Sequence, residues 1–372
     1  MPGTFTPDQT TFSISLMANL GSGLTGSVDL LETTLAADIS ARLTQYRAEL
    51  GTWSLVWGPA IFQERGSVRA DNAMFVAQES ETGRYVVAIA GTNPYSAFDW
   101  VIEDAFVFKQ VPWSFGNPPP GLTPMLAAGT DRGLTILQQL RPGPVLPGNS
   151  ATLQEFLAAL PAGPVAVTTA GHSLGGALSP VVALWLSDTR AQWDPAGRVA
   201  LSCLPSAGPT PGNQDFATYY AGSPLGSRTT RIHNDIDVVP HAWAPGDLVQ
   251  IPALYQPDIP ANVNVQTLVF LAGLISERGH YAQLNPGAPS LPGQVNTSII
   301  TSPDSFTNFV VQLSYQHVDA YAQLMGVGAL SGALDHVREA AHLLGPQGSI
   351  AALETKVARR ALMAARSGRL PS

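Results

Sequence analysis

Cysteine is almost missing from this 372-residue chain. Cys203 is the only one, so no intramolecular disulfide can form. Its setting, VALSCLPSAG, is that of a buried strand, where a thiol acts as a small hydrophobe. Charge is scarce as well. Asp, Glu, Lys and Arg make up 12% of the residues, about half of the usual share of roughly 25%. Hydrophobic residues reach 45%, enough for a large core. With so few charges, some apolar surface is expected outside, as on proteins that meet partners, membranes or lipid-like substrates. Abundant Gly, Pro, Ser and Thr in loops would lower the charge without any such patch. Basic runs are absent from the main body and the net charge is −8, which argues against nucleic acid as a partner. Residues 331–372 hold six Lys/Arg against three Asp/Glu, a mild excess that reads as a solvated helix face. Metal-ligand patterns such as CxxC or HExxH are missing, so neither a metal nor a cofactor is expected. No apolar run approaches the ~18 residues of a membrane span. The opening MPGTFTPDQTTFSISLMANLGSG lacks a charged start followed by an apolar core. It is not a Sec-type leader, so the expected compartment is the cytoplasm by default, or one reached by another export route.

What is present alternates. Residues 1–26 read as a loop-rich lead-in. Over 28–50, Leu30, Leu31, Leu35, Ile39 and Leu43 fall on one face of a predicted helix. SLVWGPAIF, AMFVAQES and YVVAIAG predict three strands joined by hairpin turns. Residues 125–141 and TLQEFLAAL predict helices. VAVTT then predicts a strand, LGGALSPVVAL a helix, and VALSCL and TTRIHN two more strands. Strands alternating with helices predict an α/β fold with a mostly parallel sheet. Residues 244–303 read as irregular, apart from a helix-like VNVQTLVFLAGLIS. Residues 331–366 read as two helices. One domain is expected over 1–372, with its core at about 53–325 and a helical extension from about 331 to 372.

The segment VAVTTAGHSLGGALSPVVAL carries the chemistry. Its Gly-x-Ser-x-Gly pattern is weak alone: with 35 glycines, chance supplies roughly 0.2 matches. The context is stronger. A strand before the motif and a helix after it make the geometry of a nucleophile elbow, with Ser173 strained at the tip. Gly171 and Gly175 are then small because strand and helix pass close. The helix start favours developing negative charge, and the Leu174 N–H is placed to donate to an oxyanion. Pro180 inside the helix predicts a bend near Gly176.

GHSLGGAL resembles the elbow of the class 3, fungal-lipase-like lipases of the α/β-hydrolase fold. VVAIAGTNPYSAFDW resembles that family's strand and oxyanion loop, and SAGPTPGNQDF its Gly-Ser-Pro…Gly-Asn…Phe segment. The likeness spans roughly residues 53–325. Ala90 departs from the pattern, which commonly has Arg before Gly-Thr.

A serine nucleophile needs a base and an orienting carboxylate, here in the chain order Ser, Asp, His. RIHNDIDVVPHAW supplies Asp235 and Asp237. The family's Asp-x-Val-Pro falls on Asp237. Later histidines are His241, His280, His317, His336 and His342. The resemblance favours His317, in SYQHVDAYAQLMG, with His280 second. His172 is expected to pack beside the elbow with its ring away from Ser173. Thr92 is the second oxyanion candidate. A lid is implied over 99–115, with Trp100, Phe106, Phe108, Trp113 and Phe115, or else over Val265–Ile275; static packing fits either stretch equally. The resemblance implies a serine ester hydrolase, most of all a triacylglycerol lipase working at an oil–water interface without a cofactor. The alternatives are a short-chain carboxylesterase, a phospholipase A1, a polyester hydrolase or acyltransferase, and a lipid-binding protein with a degenerate site.

Overall fold

A computed structural model describes residues 3–91, 109–285 and 287–328. Its strands are β1 at Trp53–Phe62, β2 at Asn72–Glu79, β3 at Tyr85–Ile89, β4 at Gln110–Pro112, β5 at Met125–Ala127, β6 at Val165–His172 and β7 at Val199–Ser206. Five of them form one sheet in the order β1-β2-β3-β6-β7. β2 runs antiparallel to both neighbours, while β3, β6 and β7 pair in parallel. Four of the five strands therefore share one direction, as the alternating pattern predicts. The small β4–β5 hairpin lies apart from this sheet.

Helices cover both faces. On one side α1 (Pro7–Met17) and α2 (Val28–Gln45) bury Phe12, Ile14, Leu31, Leu35 and Ile39 against Phe75, Val86 and Ala88. On the other, α3 (Ala128–Gln139), α4 (Leu153–Ala158) and α5 (Leu174–Asp188) pack Leu134, Leu157, Leu178 and Val182 on Val76, Val87 and Ile89. Alternate residues of β3 thus feed opposite cores, which explains why YVVAI is apolar throughout. Among the described residues, α6 (Gln214–Gly222), α7 (Val263–Gly279), α8 (Ser305–Ser314) and α9 (Ala320–Leu324) are the remaining α-helices longer than four residues.

Four expectations need correction. The lead-in is not loop: Pro7–Met17 is helical, with buried Thr10, Thr11, Ser13 and Ser15. Leu30 is 55% exposed and does not share the buried face of Leu31 and Leu35, because adjacent helix positions differ by about 100°. The first three residues of 125–141 form β5. TTRIHN makes only isolated bridges: Thr229 to Cys203 and Ile232 to Ser206 extend the sheet edge beyond β7, and Asn234 pairs with Leu291. The two helices expected over 331–366 lie outside the described residues.

Candidate active site

β6 ends where Ser173 turns the chain into α5. Ser173 has φ 62° and ψ −125°, a region that a residue with a side chain enters only under constraint. The constraint is visible. Its N–H donates to the Ser206 carbonyl of β7 at 3.0 Å, and its carbonyl accepts the Gly176 and Ala177 amides at 2.8 and 3.2 Å. A β carbon at Gly171 would collide with the Gly175 carbonyl, and one at Gly175 with the Ile89 carbonyl. Glycine at both positions lets β3, β6 and α5 meet. The Leu174 amide is the first of α5, so helix geometry leaves it no intrahelical acceptor.

His317 arrives from 144 residues away, in a π-helical turn (Tyr315–Asp319) between α8 and α9. Such a turn re-aims the residues it carries and recurs at functional sites. His317 Nε2 is 2.8 Å from Ser173 Oγ, and Nδ1 is 2.8 Å from Asp237 Oδ2. A carboxylate only accepts, so Nδ1 holds the proton and the bare Nε2 faces the serine hydroxyl. Asp237 is fully buried. Its Oδ1 accepts the Val239 amide at 3.1 Å, and Tyr321 donates to Oδ2 at 2.9 Å. Tyr321 in turn accepts the Asn234 amide at 3.0 Å. Burial, then the Asp237 charge, holds the Tyr321 hydroxyl protonated well above the ordinary phenol range.

His172 lies behind His317, with ring centroids 5.0 Å apart. Its Nε2 donates to the His317 carbonyl at 2.8 Å, and Nδ1 faces Ser206 Oγ at 3.3 Å. Burial, and next the neighbouring His317, pushes its pKa down to about 3. It is neutral and engaged through both nitrogens, so it stands as support for the His317 backbone. Phe12 of α1 packs edge-on to His172 and stacks on Tyr321.

The other candidates sit elsewhere. Asp235 is exposed and accepts the Gly293 amide at 2.7 Å. His280 is the exposed left-handed cap of α7. His241 bonds the Asp237 carbonyl, not its carboxylate. Trp113 is buried and Phe115 half-buried. The Trp113 indole N–H donates to Asp188 Oδ2 at 2.8 Å, and its ring meets Phe115 and Phe216. Asp188 ends α5, about 20 Å along the helix from Ser173 at 1.5 Å per residue. Thr92, Trp100, Phe106, Phe108, His336 and His342 lie outside the described residues. Among the described residues, no group of three or more His, Cys, Asp or Glu is arranged to hold a metal, and no helix is long and apolar enough to cross a membrane.

The chain matches the family Lipase (class 3) over residues 86–246. It also matches the crystal structure of M37 lipase at 31% identity and a TM-score of 0.80, covering 90% of this chain and 100% of that one. The chain belongs to the class 3 lipase family. This lipase is accordingly a carboxylic ester hydrolase of α/β-hydrolase-like fold. It also aligns with the lipase from Rhizopus microsporus var. chinensis at 20% identity and a TM-score of 0.42, covering 64% of this chain and 70% of that one. A mutant form of MDLA from Penicillium cyclopium aligns at 20% identity and a TM-score of 0.39, covering 80% of each chain. No curated protein sequence matches the lipase.

Sequence reasoning overlooked α1 as a wall of this site. The signal was present: Thr6-Pro7-Asp8-Gln9 is a capping box with proline at the first helical position, and both reciprocal bonds form. Asn234 gave no signal.

Proposed function

We propose that the lipase cleaves carboxylic esters of lipids, acylglycerols above all, through an acyl-enzyme on Ser173. The observation that carries this reading is the unbroken hydrogen-bond chain Ser173–His317–Asp237. Ser173 Oγ attacks the ester carbonyl as His317 Nε2 takes its proton. Asp237 holds the imidazole in the required tautomer and balances its charge. The oxyanion meets the Leu174 N–H at the positive end of α5, with Thr92 as the second donor. His317 then protonates the departing alcohol. Water, activated by the same imidazole, releases the acid and restores Ser173.

A lipid substrate fits the low charge of the chain. It also fits α7: no Asp, Glu, Lys or Arg occurs from Ile259 to Ser276, and Val263 and Phe270 are 69% and 45% exposed. The test is a panel of esters from short to long acyl chains, dissolved and emulsified, run on the wild type and on Ser173→Ala. Activity is expected to rise on long-chain emulsions and to vanish in the mutant. Activity falling steadily with chain length, with no gain on emulsions, would make the protein a short-chain carboxylesterase. No turnover of any ester by the wild type would make it a lipid-binding protein.

A further inference from the structure

We propose that Asn19 is a positioning residue for ester cleavage: it holds the Gly91 peptide at a set spacing from the Ser173 elbow. This rests on the reading of Ser173 as nucleophile. The ladder between β3 and β6 ends at Ile89 and Gly171. Beyond it the Gly91 amide is buried and needs an acceptor. Asn19 Oδ1 supplies one at 2.8 Å, from 72 residues away. Gly91 lies against the elbow itself. A β carbon there would sit 2.8 Å from the His172 carbonyl, 3.1 Å from Ser173 Cβ and 3.5 Å from the Leu174 amide nitrogen. A shift of the Gly91 peptide therefore changes the space beside the nucleophile and beside the first oxyanion donor.

The preceding residue cannot do this work. Ala90, where the class 3 pattern commonly has arginine, is a buried side chain without a polar atom. Asn19 is itself anchored. It lies in the tight turn Ala18–Gly21 that follows α1. Gln9 at the other end of α1 donates to the Met325 carbonyl at 2.9 Å, just past α9. Phe12 between them touches His172 and Tyr321. α1 touches the base side of the site, and the turn that follows it carries Asn19 to the elbow side.

The experiment compares Asn19→Leu, Thr6→Ala and Ser173→Ala with wild type on a water-soluble p-nitrophenyl ester. It also measures inhibition by a trifluoromethyl ketone, whose carbon takes Ser173 Oγ and whose oxygen becomes an oxyanion while His317 keeps the proton. Asn19→Leu keeps the side-chain size but removes the acceptor. It is expected to lose about 10²-fold in kcat with KM within about threefold, and to weaken the ketone by the same factor as kcat/KM. Thr6→Ala removes the α1 cap and leaves Asn19 in place, so kcat should stay within about twofold. If Asn19→Leu does not fold, Asn19→Ser, whose hydroxyl is too short to reach Gly91, takes its place with the same expectation. Wild-type kcat and ketone affinity in that variant would overturn the proposal, as would an equal loss in Thr6→Ala. Activity surviving in Ser173→Ala would instead overturn the nucleophile reading beneath it.

Discussion

At the scale of the residue, the site depends on which nitrogen of His317 carries the proton. Asp237 Oδ2 sets this, and it accepts from His317 and Tyr321 together. Asp237→Asn puts an amide where a pure acceptor is needed and permits the wrong tautomer. It should cost about 10⁴-fold in kcat, measured by steady-state kinetics at neutral pH. Tyr321→Phe removes the donor to Asp237 and the acceptor of the Asn234 amide but leaves the ring packing, so a loss of about 1 kcal/mol, or roughly fivefold in kcat, is expected with KM unchanged. An unaltered kcat would show that the hydroxyl serves only packing. Ser173 was visible in the sequence because the elbow has a strand before it and a helix after it; Asp237 and His317 stood out from Asp235 and the other later histidines only through the resemblance to the class 3 lipases. The π turn that aims His317 was not visible. Phe306, Val310, Leu313 and His317 fit an ordinary helical stripe, and one extra residue in a turn leaves no trace in periodicity.

At the scale of the element, strands were easier to read than helices that carry hydroxyls. β1, β2 and β3 are dense in apolar residues and turn signals bound them. α1 was missed because TTFSIS places polar letters on every face. The structure shows how such a helix is buried. Thr11 Oγ1, Ser13 Oγ and Ser15 Oγ donate to the Pro7, Gln9 and Phe12 carbonyls of their own helix at 2.8, 2.7 and 2.7 Å. Each hydroxyl is satisfied locally and asks nothing of the core. TTRIHN fails the other way: it has strand letters, but only two residues of it pair with the edge of β7. The junction of β3, β6 and α5 is the least tolerant place in the fold. Gly175→Ala would drive a β carbon into the Ile89 backbone, which neither strand nor helix can yield without moving the elbow. Its cost should exceed about 2 kcal/mol in urea unfolding. A cost near zero would mean that the strand–helix approach is looser than described.

At the scale of the whole molecule, the site is a meeting point of distant segments. α1, the elbow, the Asp237 turn and the α8–α9 helices enclose His172, and its surroundings set a limit on acid stability. The unfolded chain protonates an ordinary histidine near 6.5, whereas burial, with His317 also facing the ring and Asp237 opposing the shift, keeps folded His172 neutral down to about 3. Below 6.5 the unfolded state takes up a proton that the folded state refuses. Stability from this residue is thus full at neutral pH and lost progressively as the pH falls through that window. His172→Gln keeps a donor for the His317 carbonyl and removes the titration, so its acid-unfolding midpoint should move to lower pH; an unmoved midpoint would place the acid limit elsewhere. The central claim is that Ser173 is the nucleophile and His317 its base. The most direct measurement is trapping with a p-nitrophenyl alkylphosphonate, followed by intact mass and peptide mapping. One phosphonyl group on Ser173 is predicted, with p-nitrophenol released in equal amount and with trapping abolished in His317→Ala. An adduct on another residue, or undiminished trapping without His317, would contradict the account.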